Sequence, residues 1–258
     1  MSAPTELPFQ RIARALDAYR RNLASVIDWA EPTWFAALLG SDSAQWTSWR
    51  AALANAPVAR IEACSQAFAQ AAGVAAPTFA ALTHGALRPG PSATLQPNAA
   101  LLDVLPVQHG LQVLRMRALS FRRAEARRLI DKRTRAQLSQ WAGVGIDRLT
   151  QDAHLADAPD IARLAARAAM PPLTTLDAQT LAVEGCALLL RDLGAQSQAS
   201  GANHVAITPF PLLRLALPRV LAAPAWLAAV PDSIDAAGSA RLFARLSELL
   251  PEFAWLSG

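Results

Sequence analysis

Along this chain alanine and leucine recur at intervals of three and four residues nearly everywhere, and runs of β-branched residues are rare. That spacing stacks apolar side chains along one side of an α-helix, whereas a half-buried strand would alternate apolar and polar positions. The pattern predicts a mainly α, bundle-like globular protein. Pro8 suits the first turn of a helix running to about Trp29, with Ile12, Leu16, Tyr19, Leu23 and Ile27 along one side. Pro32 starts a short helix through Leu39, stopped by Gly40, and Ser41 or Ser43 can cap the next, which carries Trp46, Trp49 and Leu53. A further helix is expected from about Pro57 to Ala72.

Between Gly73 and Asn98 the helical pattern gives way to Gly73, Pro77, Gly85, Pro89, Gly90, Pro91 and Pro97, with one formal charge. This composition reads as a linker or long loop over 76–98, separating an N-terminal helical unit, 1–75, from a main helical domain, 99–258. In the second part Asn98 can cap a helix through Leu105, and Pro106 opens what is expected to be the longest element, a helix to about Trp141 ended by Gly143 and Gly145. Shorter helices are predicted over 146–154 and 157–170. Thr175 can cap an apolar helix that contains Leu181, Cys186 and Leu188 and stops at Gly194. The segment 204–217, with Val205, Ile207, Phe210, Leu213, Leu215 and Leu217 between prolines, is the one place where a minor β segment fits. A last helix is expected over 239–250.

Composition narrows the class. Of the 258 residues 53% are hydrophobic and 17% charged, with 24 basic and 20 acidic residues, so disorder is excluded. A chain of this length buries a core without a disulfide or metal staple. Mean hydropathy is positive, at +0.20, yet neither uncharged stretch, 63–87 or 220–231, supplies the roughly 20 continuous apolar residues a bilayer span needs. The first 21 residues carry Glu6, Arg11, Arg14 and Asp17 where a signal peptide would have its apolar core. A cytoplasmic location is expected. Cys64 and Cys186 have no Cys or His neighbours at ligand spacing and read as small buried hydrophobes.

No catalytic template fits. Gly143-Val144-Gly145 lacks the third glycine and preceding strand of a dinucleotide fold, and the single lysine, Lys132, is not in a phosphate loop. The histidines His84, His109, His154 and His204 fall in four separate segments. Asp152, His154 and Asp157 form the only compact acidic-histidine group, which suits a polar helix end better than a metal site. Neither a cofactor, a metal nor a small-molecule substrate is expected, and an enzyme with a site assembled from scattered residues is the weakest reading.

Charge is distributed unevenly. From 107 to 150 ten basic residues face three acids, a net of +7, leaving the remainder at −3. Basic helices raise nucleic-acid binding first. Projected on one continuous helix, Leu111, Leu114, Ala118, Phe121, Leu129 and Ala136 share an arc of roughly 80°. The cations do not gather opposite it: Arg123 and Arg127 lie on one flank, Arg117, Arg128 and Arg135 on another, and Arg115, Arg122 and Arg133 on a third. Such a helix lays its arginine stems over apolar neighbours and pairs with acids from other elements or another chain. Arg117, Arg123, Arg127, Arg128 and Arg135 are therefore candidate protein-binding residues. Trp46 and Trp49 join them as the anchors an exposed aromatic patch would use, although tryptophans in an alanine-rich unit also fill cores.

Leu101-Leu102-Asp103-Val104-Leu105-Pro106, then 111–119, then Arg122 through Leu138 into Trp141-Ala142-Gly143, resembles the central segment of the K component of type III secretion sorting platforms, the SctK/YscK type in its Hrp branch. Glu184-Gly185-Cys186-Ala187-Leu188-Leu189-Leu190 and Leu212-Leu213-Arg214-Leu215-Ala216-Leu217-Pro218 continue the likeness, which spans roughly 99–218. The resemblance implies a non-enzymatic cytosolic adaptor, peripheral at the cytosolic face of the inner membrane, joining the cytosolic domain of the inner-membrane ring to the platform's pod protein. The competing class is a nucleic-acid-binding regulator that uses the basic segment 107–141.

Overall fold

The computed structural model describes residues 8–40, 42–83, 98–150, 170–194, 208–232 and 234–256. Helices account for the regular structure among them, and no strand occurs there. The N-terminal helices are α1 (Pro8–Ala24), α2 (Val26–Trp29), α3 (Pro32–Leu39), α4 (Ser43–Leu53), α5 (Val58–Ala71) and α6 (Phe79–Thr83). From Pro32 on these follow the expected boundaries closely, whereas the single helix expected from Pro8 to about Trp29 is broken at Ser25 (φ −117°, ψ 13°) into α1 and α2; Gly40 ends α3 at φ +63°, a conformation glycine adopts without a Cβ penalty. The cap of α4 is neither Ser41 nor Ser43: the Asp42 carboxylate accepts from the Gln45 backbone N–H. Helix α6 lies inside the stretch expected to be a linker, whose residues 84–97 fall outside the described residues.

The expected long helix is three helices: α7 (Val107–Phe121), α8 (Arg123–Arg128) and α9 (Lys132–Ala142). The longest described helix is instead α1, at 17 residues against 15 for α7. The chain turns at Arg122, whose buried guanidinium reaches Glu184 at 2.8 Å and the Pro171 carbonyl at 2.9 Å. It turns again at the extended Leu129, after which the Asp131 carboxylate accepts from the Arg133 and Thr134 N–H groups and starts α9. Each break rotates the helical phase, so Ala136 is exposed while Leu138 is buried. The single-helix projection therefore holds only as far as Phe121.

Gly143, at φ +73°, closes α9, and α10 (Ile146–Thr150) follows. The rest of the helices expected over 146–154 and 157–170, including the Asp152/His154/Asp157 group, lies outside the described residues except for Met170. Helix α11 (Ala178–Asp192) is capped by Asp177, whose carboxylate accepts from the Thr180 N–H, rather than by Thr175. Residues 208–217 form turns and the 3-10 turn Leu213–Ala216, not a strand; Arg214 folds back to donate to the Leu217 carbonyl at 3.1 Å, which an extended chain would not allow. The last expected helix is divided at Arg245 into α12 (Gly238–Ala244) and α13 (Leu246–Leu249). Likewise Ala99–Asp103 is a 3-10 turn, and Asn98, instead of capping it, donates to the Ala81 carbonyl at 3.0 Å.

Helices α7 and α11 form the centre of the main core, with Leu114, Met116, Leu119, Leu181, Cys186 and Leu189 at their interface and Leu138, Phe210 and Leu217 around it. They meet at Gly185, where a Cβ would overlap the Leu114 carbonyl oxygen, so only glycine permits this approach. A second cluster centres on Phe35, whose ring stacks on Trp46 at 3.3 Å and on Phe68 at 4.2 Å between centroids. Leu212 and Leu215 enter that cluster from the main body. Trp34 Nε1 donates to the Leu217 carbonyl at 2.9 Å, and the Glu31 N–H to the Leu215 carbonyl at 2.8 Å. Arg214, fully buried, stacks over Trp34 and is lowered to about 10 by that burial. At the same seam Asp103 accepts from the N–H groups of Leu212 (3.1 Å) and Leu213 (2.7 Å); burial pushes its carboxyl up to about 7 against those two bonds.

Candidate protein-interaction site

Helices α3, α4 and α5 leave an open apolar groove of about 560 Å³. Leu38 and Leu39 come from α3, Trp46, Trp49, Ala52 and Leu53 from α4, Cys64, Ala67, Phe68 and Ala71 from α5, and Ile27 from α2. The spacing explains the lining: Trp46, Trp49 and Leu53 stand at i, i+3 and i+7 of one helix, and Cys64, Ala67, Phe68 and Ala71 at i, i+3, i+4 and i+7 of another. Small alanines along α5 face large residues along α4, which leaves room between the helices. Among the described residues no charged side chain lines the groove. Trp49 and Leu39, each 47% exposed, stand at it, whereas Trp46 is buried against Phe35. The Trp46 indole N–H is buried without an acceptor.

The arginine candidates divide. Arg117, 1% exposed, is wholly internal: Nη2 reaches Asp192 and Nη1 reaches Asp235, both at 2.8 Å, and Nε donates to Ser239 Oγ at 2.9 Å. Gly238 makes space for it, since a Cβ there would collide with its guanidinium. Arg123 is also buried, donating through Nη1 to the Ser120 carbonyl at 3.2 Å and lying 3.6 Å from Asp235. Arg127 and Arg128 are exposed, the first donating to the Thr150 carbonyl. Arg135 is half-buried, spanning Asp147 and the Leu129 carbonyl. The structure thus does not bring the five arginines to one surface, and Arg123 and Arg127 do not make an exposed pair. Pairing with acids from other elements is realised within the chain. Arg122 binds Glu184, whose carboxyl is raised by burial despite the guanidinium beside it.

Sequence reasoning missed Leu38, Leu39, Ala52, Ala67 and Ala71. The periodicity of the α5 stripe was available, but alanine offers too little hydrophobic contrast to separate groove from core. It also missed Asp192 and Asp235 as arginine partners, since neither spacing nor composition links them to Arg117. Asp235 is held at φ +56°, a left-handed conformation that aspartate tolerates better than most residues. Cys186 is buried, and burial raises its thiol to about 12, while Cys64 is half-buried on the groove. Among the described residues no group of three or more His, Cys, Asp or Glu side chains could hold a metal, and no helix is long and apolar enough to cross a membrane.

No curated protein and no solved structure matches this chain. One family model does, that of the bacterial type III secretion protein HrpB4, over residues 7–252. The match runs well beyond the segment 99–218 that carried the resemblance and takes in the groove and the arginine network together. By that match the chain belongs to the HrpB4 family of bacterial type III secretion proteins.

Proposed function

We propose that this protein is a non-enzymatic adaptor of the secretion sorting platform, linking the cytosolic domain of the inner-membrane ring to the pod protein, and that the groove between α4 and α5 makes one of those contacts. The observation that carries the reading is the groove itself: an uncharged apolar slot between two helices, with an exposed tryptophan beside it. Its chemistry suits one occupant, an amphipathic helix whose apolar side chains at i, i+3 or i+4 and i+7 fill the slot. Trp49 is the anchor such contacts use. Membership in a type III secretion family supplies the setting, and the ring and pod proteins are the partners that the likeness to the K component implies. No observation favours the nucleic-acid reading, because Arg117, Arg122 and Arg123 of the basic segment are spent inside the molecule.

Affinity capture from cells that assemble the secretion system tests this. Wild type should retain both ring and pod proteins. Ala67→Trp, which fills the groove from an exposed position on α5, should lose one of them while melting at the wild-type temperature. Retention of neither protein by the wild type, or of both by the variant, overturns the reading.

A further inference from the structure

The corner between α8 and α9 presents Ile130 to solvent. At 92% exposure it stands out furthest among the large hydrophobic residues described. The chain is extended on both sides of it, at Leu129 (φ −67°, ψ 112°) and Asp131 (φ −66°, ψ 115°). Consecutive side chains of extended backbone point to opposite sides, so Leu129 packs on the main core and Ile130 stands outward. Both neighbours are held in place. The Leu129 carbonyl accepts from Arg135 Nη1 at 3.3 Å, and the Asp131 carboxylate accepts from the N–H groups of Arg133 at 3.2 Å and Thr134 at 2.8 Å. Ile130 is therefore presented by a braced corner, where an aliphatic side chain gains nothing from water.

Cations flank this tip on both sides. Arg127, Arg128, Lys132 and Arg133 are all exposed and stand within three residues of it, at most about 11 Å of extended chain. Arg127 donates to the Thr150 carbonyl, a contact that leaves its charge uncompensated. The nearby acids are engaged: Asp131 caps α9 beside Arg133, Glu125 turns inward to Arg122 and the Leu173 N–H, and Asp147 takes Arg135 at 2.5 Å. Residues 127–133 carry four cations against the one carboxylate of Asp131, a net of +3. A lone protruding aliphatic side chain gives a nucleic acid nothing to stack on, and an acidic protein would have to offer it a pocket. An anionic bilayer takes both features without shape complementarity, the acyl boundary receiving the isoleucine and the headgroup phosphates the cations. We propose that the α8–α9 corner is a membrane-contact site, in which Ile130 enters the headgroup–acyl boundary of a bilayer rich in anionic phospholipid while Arg127, Arg128, Lys132 and Arg133 lie against its phosphates. This goes beyond the adaptor reading, because it gives the chain a direct lipid contact that needs neither ring nor pod protein. One aliphatic side chain and four cations make that attachment weak and reversible.

Co-sedimentation of the full-length chain with vesicles at physiological salt tests this, using phosphatidylcholine alone and with about one third phosphatidylglycerol. The protein should sediment with the anionic vesicles and stay in solution with phosphatidylcholine alone. Ile130→Ser should weaken that binding about tenfold. Arg128→Glu combined with Lys132→Glu should weaken it about a hundredfold or more. Two controls separate this corner from general stickiness and general charge. Val220→Ser removes another exposed aliphatic side chain, and Arg20→Glu combined with Arg60→Glu makes the same change in net charge on the N-terminal unit. Each control should leave binding within about twofold of wild type. All the substituted side chains are exposed, so every variant should melt near the wild-type temperature. Equal sedimentation with both vesicle types, sedimentation with neither, binding unchanged in Ile130→Ser, or controls as damaging as the corner variants overturns the proposal. Tighter binding to duplex DNA or to polyglutamate, lost in the charge reversal and kept in Ile130→Ser, overturns it in favour of that partner. No secretion protein enters the assay, so the lipid contact can survive a failed capture experiment, and the adaptor reading can survive a failed sedimentation.

Discussion

Among the described residues up to 75 the side chains that leave solvent are aromatic or aliphatic, Phe35 between Trp46 and Phe68, with Ser65 the one buried residue there outside that class. Around α7 and α11 the buried set includes Arg117, Arg122, Arg123, Glu184, Arg191 and Asp235. The two regions solve burial differently, and the difference decides which can offer a surface. An apolar unit can leave a groove open at the cost of some contacts, since nothing in it demands a specific partner. A buried ion network has no such freedom, because each charge left without its partner is strongly destabilising. The charge-rich segment, which composition marks as the site of interaction, thus spends Arg117, Arg122 and Arg123 as scaffold. The plain hydrophobic unit holds the open groove.

The comparison breaks most visibly at Arg117. Replacing it by Ala takes away the one guanidinium that Asp192 and Asp235 share, leaving the first to Arg191 and the second to Arg241 and Arg123, and should cost roughly 3–5 kcal/mol in chemical denaturation, whereas a same-sized loss from any one exposed arginine would deny the contrast. Next comes the seam, where the two regions meet on Asp103. Its carboxyl is raised to about 7, so the folded protein holds a proton there that the unfolded chain releases near pH 4. Stability should therefore fall as pH rises from about 4 to about 7 and then level, by at most roughly 4 kcal/mol. Asp103→Asn, which keeps one carbonyl acceptor as the protonated acid does, should flatten that slope in a pH series of melts.

A third substitution sharpens the packing side. Gly185→Ala drives a methyl into the Leu114 carbonyl and must push α7 from α11, at about 1–3 kcal/mol. The smallest effect is expected in the N-terminal unit. Trp49→Ala should change stability by less than about 0.5 kcal/mol, since the ring is half exposed, and yet weaken partner capture. A large destabilisation there would make Trp49 core rather than contact.

The helical class, the start of α1 at Pro8, the bounds of α3 through α5, the stops at Gly40, Gly143 and Gly194, and the likeness to a type III secretion component were legible in the residues. All depend on information within a few positions of the chain: period, caps, the conformational freedom of glycine. The break after Leu129 was missed although its signal is local, Asp131 followed by Thr134 being a capping pattern inside an otherwise continuous run of helix formers. The break at Arg122 was not legible, because its cause is a carboxylate 62 residues away. Nor could sequence say that 208–217 coils instead of extending, since alternating apolar residues suit both a strand and a turn buried on two sides. Only the tertiary structure decided which arginines are scaffold and which are surface. A guanidinium is placed by the acids that fold around it, and Asp192, Asp235 and Glu184 reach theirs across separations on which no local pattern bears.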